Sequence, residues 1–340
     1  MGLKIKKQIS YLLKITDKTG IIEHCVIDRA NYKEGYCVDD NARALQICLR
    51  LKNKYPNLKK VSPIYFSFLK SAFNGKHFYN DLDQKLSWKK ITTTRGEHYG
   101  RALAALGELI DNKEKESDEA MVLFDEVYNL FKKNKVFFLR PVAQVICGLK
   151  FYKKEEIEYW ADLIVKNYLK EKNNNWKWFE STLSYDIGRI PLSLLIAYQV
   201  TKNKKYLEVA IESLDFLTEI TFNKKRDCFV FPGNKGWFTK LGKRKIFDQQ
   251  PLEAGSLVET YSLAFMITKN IKYKELALKA FAWYKKKNII KANMVDPKTG
   301  GIYDGFSNKK INKNQGAESV LAYVLAYDAI KKIDQREPLK

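Results

Sequence analysis

Carboxylates recur at the points where this sequence passes from loop to apolar helix: Asp39, Asp40, Glu97, Glu180, Asp186, Asp248, Glu253, Asp304 and Glu318. One acidic residue before a helix is an ordinary start signal. A set of them gathered at one end of a bundle is a different matter. Clustered carboxylates repel, so one keeps its proton near neutrality while a neighbour stays ionised. That is the acid and base pair of glycoside hydrolysis, and helix N-termini stabilise the ionised member.

The stretch from Asn175 to Pro191 concentrates this chemistry: Trp176, Trp178, Glu180, Tyr185, Asp186 and Arg189 fall in one turn-rich segment before an apolar helix. Glu180 and Asp248 each stand beside an aromatic and outside the helix proper, which makes them acid/base candidates. Asp40 and Asp186 read either as the second catalytic carboxylate or as partners of a sugar hydroxyl, and Glu318 as a group that could polarise a water. Three starts share a local pattern: Asp40-Asn-Ala-Arg43, Asp186-Ile-Gly-Arg189 and His98-Tyr-Gly-Arg101. Their arginines suit structural ion pairs that tie neighbouring motifs together. Glu253 and Glu259 lie deeper in their helix and read as structurally paired.

Binding candidates surround these groups. Asp39, Glu97, Arg140, Tyr185 and Asp304 flank the same starts. His98 is either a substrate contact or a satisfied structural histidine. Trp176, Trp178, Trp237, Phe238, Tyr303 and Phe306 are expected in loops above that end, as flat faces for a sugar or as packing. Gln249, Gln250, Asn314 and Gln315 could bond sugar hydroxyls or cap helices.

The elements that must position them alternate. Helices apolar on most sides begin near Asn41, Tyr99, Arg140, Asp186, Gln250 and Gln315. Between them run amphipathic, lysine-rich helices, expected at 3–14, 58–73, 117–133, 154–171, 204–220 and 271–287. Helices apolar all round are buried and those with one polar face lie outside. Six inner and six outer helices predict an all-α (α/α)6 toroid over residues 1–340 as a single domain, with a frayed tail from about 335. Every inner helix then offers its polar start to the same end. An α-solenoid is the competing architecture, disfavoured by the irregular repeat length.

Composition narrows the rest. The net charge of +22 comes almost entirely from lysine. The lysines are scattered over polar helix faces, with no RNP, zinc-finger or helix-turn-helix signature, so a nucleic-acid partner is not expected. No apolar run approaches a membrane span, and no signal-peptide pattern follows the first residues, so a cytoplasmic setting is expected. The five cysteines are dispersed, without a C-x-x-C pair, and the three histidines are separate. Neither a disulfide framework nor a metal centre is expected, and no cofactor is called for.

Four segments, Gly35-Tyr-Cys-Val-Asp-Asp-Asn-Ala-Arg-Ala-Leu45, Trp178-Phe-Glu with Leu-Ser-Tyr-Asp186, Phe247-Asp-Gln-Gln-Pro-Leu-Glu-Ala254 and Asn314-Gln-Gly-Ala-Glu-Ser319, resemble those of a poorly characterised family. Its members occur alone or fused behind retaining GT-B glycosyltransferases, and their genes often accompany mannoside phosphorylases. The resemblance runs from about Leu12 to Ala329. It implies the six-hairpin glycosidase class, which holds inverting hydrolases, unsaturated-uronyl hydrolases and sugar epimerases. It also implies a glycan substrate, with mannose-containing chains among the candidates, and a separate glycosyltransferase as a candidate partner. The reading is therefore an oligosaccharide-active glycoside hydrolase, with inversion favoured. The alternatives are a non-catalytic glycan-binding or scaffolding module and a sugar epimerase or isomerase.

Overall fold

The computed structural model describes residues 4–89, 96–134 and 137–334. The frayed tail expected from about 335 lies outside them. Twelve α-helices occur among the described residues. Six are inner: α2 (Val38–Leu51), α4 (Glu97–Asp111), α6 (Leu139–Leu149), α8 (Arg189–Thr201), α10 (Pro251–Thr268) and α12 (Ala317–Asp334). The outer six are α1 (Lys6–Lys14), α3 (Asn57–Ser71), α5 (Ser117–Lys132), α7 (Ile157–Glu171), α9 (Lys204–Thr221) and α11 (Ile271–Ala282).

Burial explains the layering. In α10, from Pro251 to Phe265, only Glu259 is not buried, whereas α11 buries only Tyr273, Leu276, Ala277, Ala280 and Phe281. Each inner helix packs on the next, from α2 through α4, α6, α8 and α10 to α12, and α12 packs on α2. That last contact closes the ring and excludes an open solenoid. The outer helices α3, α5, α7, α9 and α11 each pack on the inner helix before them, and α1 packs on α12. The chain is an (α/α)6 toroid.

Close approach of α4 and α6 depends on missing side chains. A Cβ on Gly107 would sit 2.5 Å from the Gly148 carbonyl oxygen, and one on Gly148 would run into that of Leu103. The outer helix α11 ends at Ala282, five residues before the expected 287. Asn288 explains the early stop: its side-chain amide donates to the carbonyls of Trp283 and Ala292, and its oxygen accepts from the Ala292 amide. Such local side-chain bonds offer the backbone an alternative to the helix.

The loops at the N-terminal ends of the inner helices are stapled to one another. Tyr36–Cys37 pairs with Asp81–Leu82, joining the approaches to α2 and α4. Thr182–Leu183 pairs with Phe238–Thr239, joining those to α8 and α10. Gln249 bridges Phe306, and Gly305–Phe306 pairs with Ile311–Asn312 just before α12. No described helix is long and apolar enough to cross a membrane.

Candidate active site

Where the six inner helices begin, the loops leave a cavity of about 400 Å³. Its wall carries Glu23, Asp39, Asp40, Glu97, Asp304 and Glu318 against Arg43 and Arg101, with His24 at the edge. A chain of strong positive charge thus presents an acidic cavity at the helix N-termini.

Two guanidinium groups hold the carboxylates in place. Arg43 donates to Asp40 at 2.7 Å, one turn back on α2, and to Glu318 on α12 at 3.1 Å. One cation therefore spans the seam that closes the ring. Arg101 on α4 lies 3.0 Å from Asp39, 3.6 Å from Glu97 and 3.2 Å from Asp186. Beneath it, Arg189 meets Asp186 at 3.4 Å and Glu259 at 3.2 Å. With its amide turned to suit these donors, Gln144 accepts from Arg189 and Arg101 at 2.9 and 3.2 Å. The arginines of the Asp-x-small-Arg starts do link neighbouring motifs, and they form a polar floor below the cavity.

Burial sets the protonation pattern. Desolvation disfavours the charged form of a carboxylate. Glu23 is pushed up to about 8, by burial first and then by Asp40, Asp81, Asp39 and Glu318. Glu97 rises to about 7 through burial, offset by Arg101. Asp40 rises to about 6 through burial, with Arg43 opposing. Asp304 is also raised by burial, although Ser319 and the Gly316 amide donate to it. In contrast, Asp186 is buried yet held below its usual range, because Arg189, Arg101, Arg43 and Arg140 outweigh its desolvation.

Glu23 was not singled out in the sequence. It lies between α1 and α2, away from any helix start. Its carbonyl accepts from the Ala317 amide at 3.0 Å, which fixes the loop against the first turn of α12. The available signal was Ile21-Ile22 directly before it: both are buried, so the next residue emerges from the core at the helix ends.

The other expected residues divide into three groups. Asp39, Asp40, Glu97, Tyr185, Gln250, Asp304, Asn314 and Glu318 line the cavity. The Tyr185 hydroxyl donates to Glu97, and its ring rests under the Arg140 guanidinium at 4.7 Å and beside Trp237 at 5.9 Å. Asp248 lies in an adjoining cleft, 3.3 Å from Lys235. The third group is committed to structure. Arg140 donates to the Tyr185 carbonyl at 2.6 Å, to Ser184 at 2.7 Å and to Glu180 at 3.0 Å, clamping the loop that carries Tyr185. Glu180 is thereby occupied by Arg140, and Asp186 lies in the floor.

Trp176 and Trp178 are 3% and 0% exposed, so they pack rather than present a face, and Phe306 is likewise buried, stacked on Trp283. Trp176 wedges between Phe216 and Phe238. His98 faces the Phe78 carbonyl at 3.0 Å and stacks on its ring. Gln249 bonds Trp283, the Phe231 amide and the Ile246 carbonyl. Gln315 bonds Asp296 and Thr299. Glu253 accepts the amides of Asp186 and Ile187 at 3.0 and 3.1 Å, holding the turn into α8.

No protein-family model matches the chain, and no curated protein matches it in sequence. Solved structures match it in fold. A D-mannose isomerase superposes with TM-score 0.78 at 11% identity, covering 98% of this chain and 96% of its own. Cellobiose 2-epimerase from Bacillus thermoamylovorans B4167 gives 0.76 at 14%, covering 98% of both. A GH76 α-mannanase from Bacteroides thetaiotaomicron gives 0.64 at 13%, covering 98% and 96%. These neighbours are six-hairpin glycosidase-like enzymes. At such identities the likeness establishes the fold, and it spans epimerases and hydrolases alike.

Proposed function

We propose that the protein is a carbohydrate-active enzyme, a glycoside hydrolase acting on an oligosaccharide within the acidic cavity. The observation that carries this reading is the convergence of six carboxylates on one cavity, with burial raising Glu23, Glu97 and Asp40 to about 8, 7 and 6. Hydrolysis needs one carboxyl that still holds a proton and one that has lost it. Glu23, raised to about 8 while Arg43 and Arg101 are engaged by other carboxylates, gives its proton to the departing glycosidic oxygen. Glu318, 42% exposed and tethered by Arg43, takes a proton from the attacking water. Asp39, Asp40 and Glu97 line the space where positive charge develops on the sugar ring, and Tyr185 holds Glu97 in place.

An epimerase or isomerase is the second reading. The fold is shared with such enzymes, and His24 stands in the cavity 3.5 Å from Glu23, where an imidazole could move a proton at a sugar carbon. Proton NMR of manno- and gluco-oligosaccharides incubated with the protein separates the readings. New reducing ends with consumption of one water per bond support hydrolysis. A changed reducing-end sugar at constant chain length supports epimerisation. Binding without either product leaves a glycan-recognition module and refutes both enzymatic readings.

A further inference from the structure

The acidic cavity does not end at Gln250. A second cleft of about 540 Å³ begins there and runs over the Gly305–Phe306 and Ile311–Asn312 ribbon. Gln250, Asp304 and Asn312 line both spaces, so the two adjoin along these residues. Their chemistry differs in balance. Six carboxylates line the first, whereas the second carries the amides of Asn234, Gln250 and Asn312 beside only two carboxylates, Asp248 and Asp304.

These amides are uncommitted, which sets them apart from their neighbours. The Gln249 side chain is used up by three internal bonds. Gln250, one residue on and half-buried, makes no side-chain hydrogen bond to the protein among the described residues, and neither does Asn234. Asn312, exposed like Asn234, accepts only from the Asn314 amide at 3.2 Å among the described residues, which leaves its own NH2 group to donate. An amide offers donors and an acceptor without charge, matching hydroxyls that do both. The charged members of the cleft are balanced or peripheral. Asp248 faces Lys235, and Lys310 and Lys313 sit exposed at the rim.

We propose that the substrate is a neutral oligosaccharide of at least two units, with the reacting unit among the carboxylates and the next unit in the amide-lined cleft. Gln250 stands at the junction and reads the linkage between them. Asp248 then recognises the second unit and takes no part in proton transfer. This inference rests on the sugar-processing reading above.

Calorimetric titration tests it with manno- and gluco-oligosaccharides of one to four units, on a Glu23→Gln background to prevent turnover. Affinity should rise about tenfold or more between one and two units. Gln250→Ala and an Asn234→Ala/Asn312→Ala double variant should each lose about 3- to 10-fold on two units, the worth of one or two neutral hydrogen bonds. For the double variant the loss should be confined to the longer sugars. Equal affinity for one and two units, or an equal loss on both, would overturn the inference and leave the enzymatic reading standing. No binding at any length would overturn both.

Discussion

Glu23 carries most of the chemical argument at the scale of single residues. Its folded proton affinity, about 8, exceeds that of an exposed glutamate. Folding therefore takes up a proton, and the stability linked to this group is full at low pH and lost as pH rises toward 8. Glu23→Gln removes that loss. Melting temperatures of wild type and variant should draw apart between pH 5 and 8, with the variant the more stable at the alkaline end. In the same variant kcat should fall about 10²- to 10⁴-fold, the usual worth of a positioned general acid. Wild-type activity should follow a bell, declining below about 6 as Asp40 gains a proton and above about 8 as Glu23 loses one. The limbs belong to the coupled cluster rather than to either residue alone. The sequence marked Asp39, Asp40, Glu97, Asp304 and Glu318 because helix starts announce themselves. It did not mark Glu23, because that residue stands in a loop away from any helix start, where the Ile21-Ile22 pair is the one hint of where the chain emerges.

Elements decide which of the expected groups can reach a substrate. The segment from Asn175 to Pro191 drew attention for its tryptophans and carboxylates, yet its work is mechanical. Trp176 and Trp178 anchor the loop in the core, Arg140 grips it at three points, and Glu253 holds the turn into α8. What it delivers to the cavity is Tyr185. Composition alone does not separate a tryptophan that packs from one that binds, since both sit in glycine- and asparagine-rich loops and only the neighbouring helices settle the matter. Arg140→Ala should free the loop, costing about 1–3 kcal/mol in chemical denaturation through lost charged hydrogen bonds. It should also raise KM through a displaced Tyr185. Gly148→Ala should cost about 1–3 kcal/mol by forcing α4 and α6 apart. A denaturation midpoint that does not move would remove the close-packing argument.

The alternation of apolar and amphipathic helices was legible over the whole molecule because burial on all sides and burial on one side leave different residue patterns. Closure of the ring was legible only by counting helices. The contacts that achieve it lie far apart in sequence, as with Arg43 to Glu318 and the Tyr11 hydroxyl to the Gln315 carbonyl. A toroid closed by its first and last helices should unfold as one unit, so calorimetry should give a single transition with matching calorimetric and van't Hoff enthalpies. Two resolved transitions would contradict a single-domain molecule. The measurement that bears most directly on the account is turnover and binding of an oligosaccharide by wild type, Glu23→Gln and Glu318→Gln side by side. Wild type should convert the sugar, and both variants should bind it with affinity within a few-fold of wild type while kcat falls at least 100-fold. Full turnover in either variant would contradict the proton-transfer role given to that carboxylate, and full turnover in both would move the chemistry out of the acidic cavity.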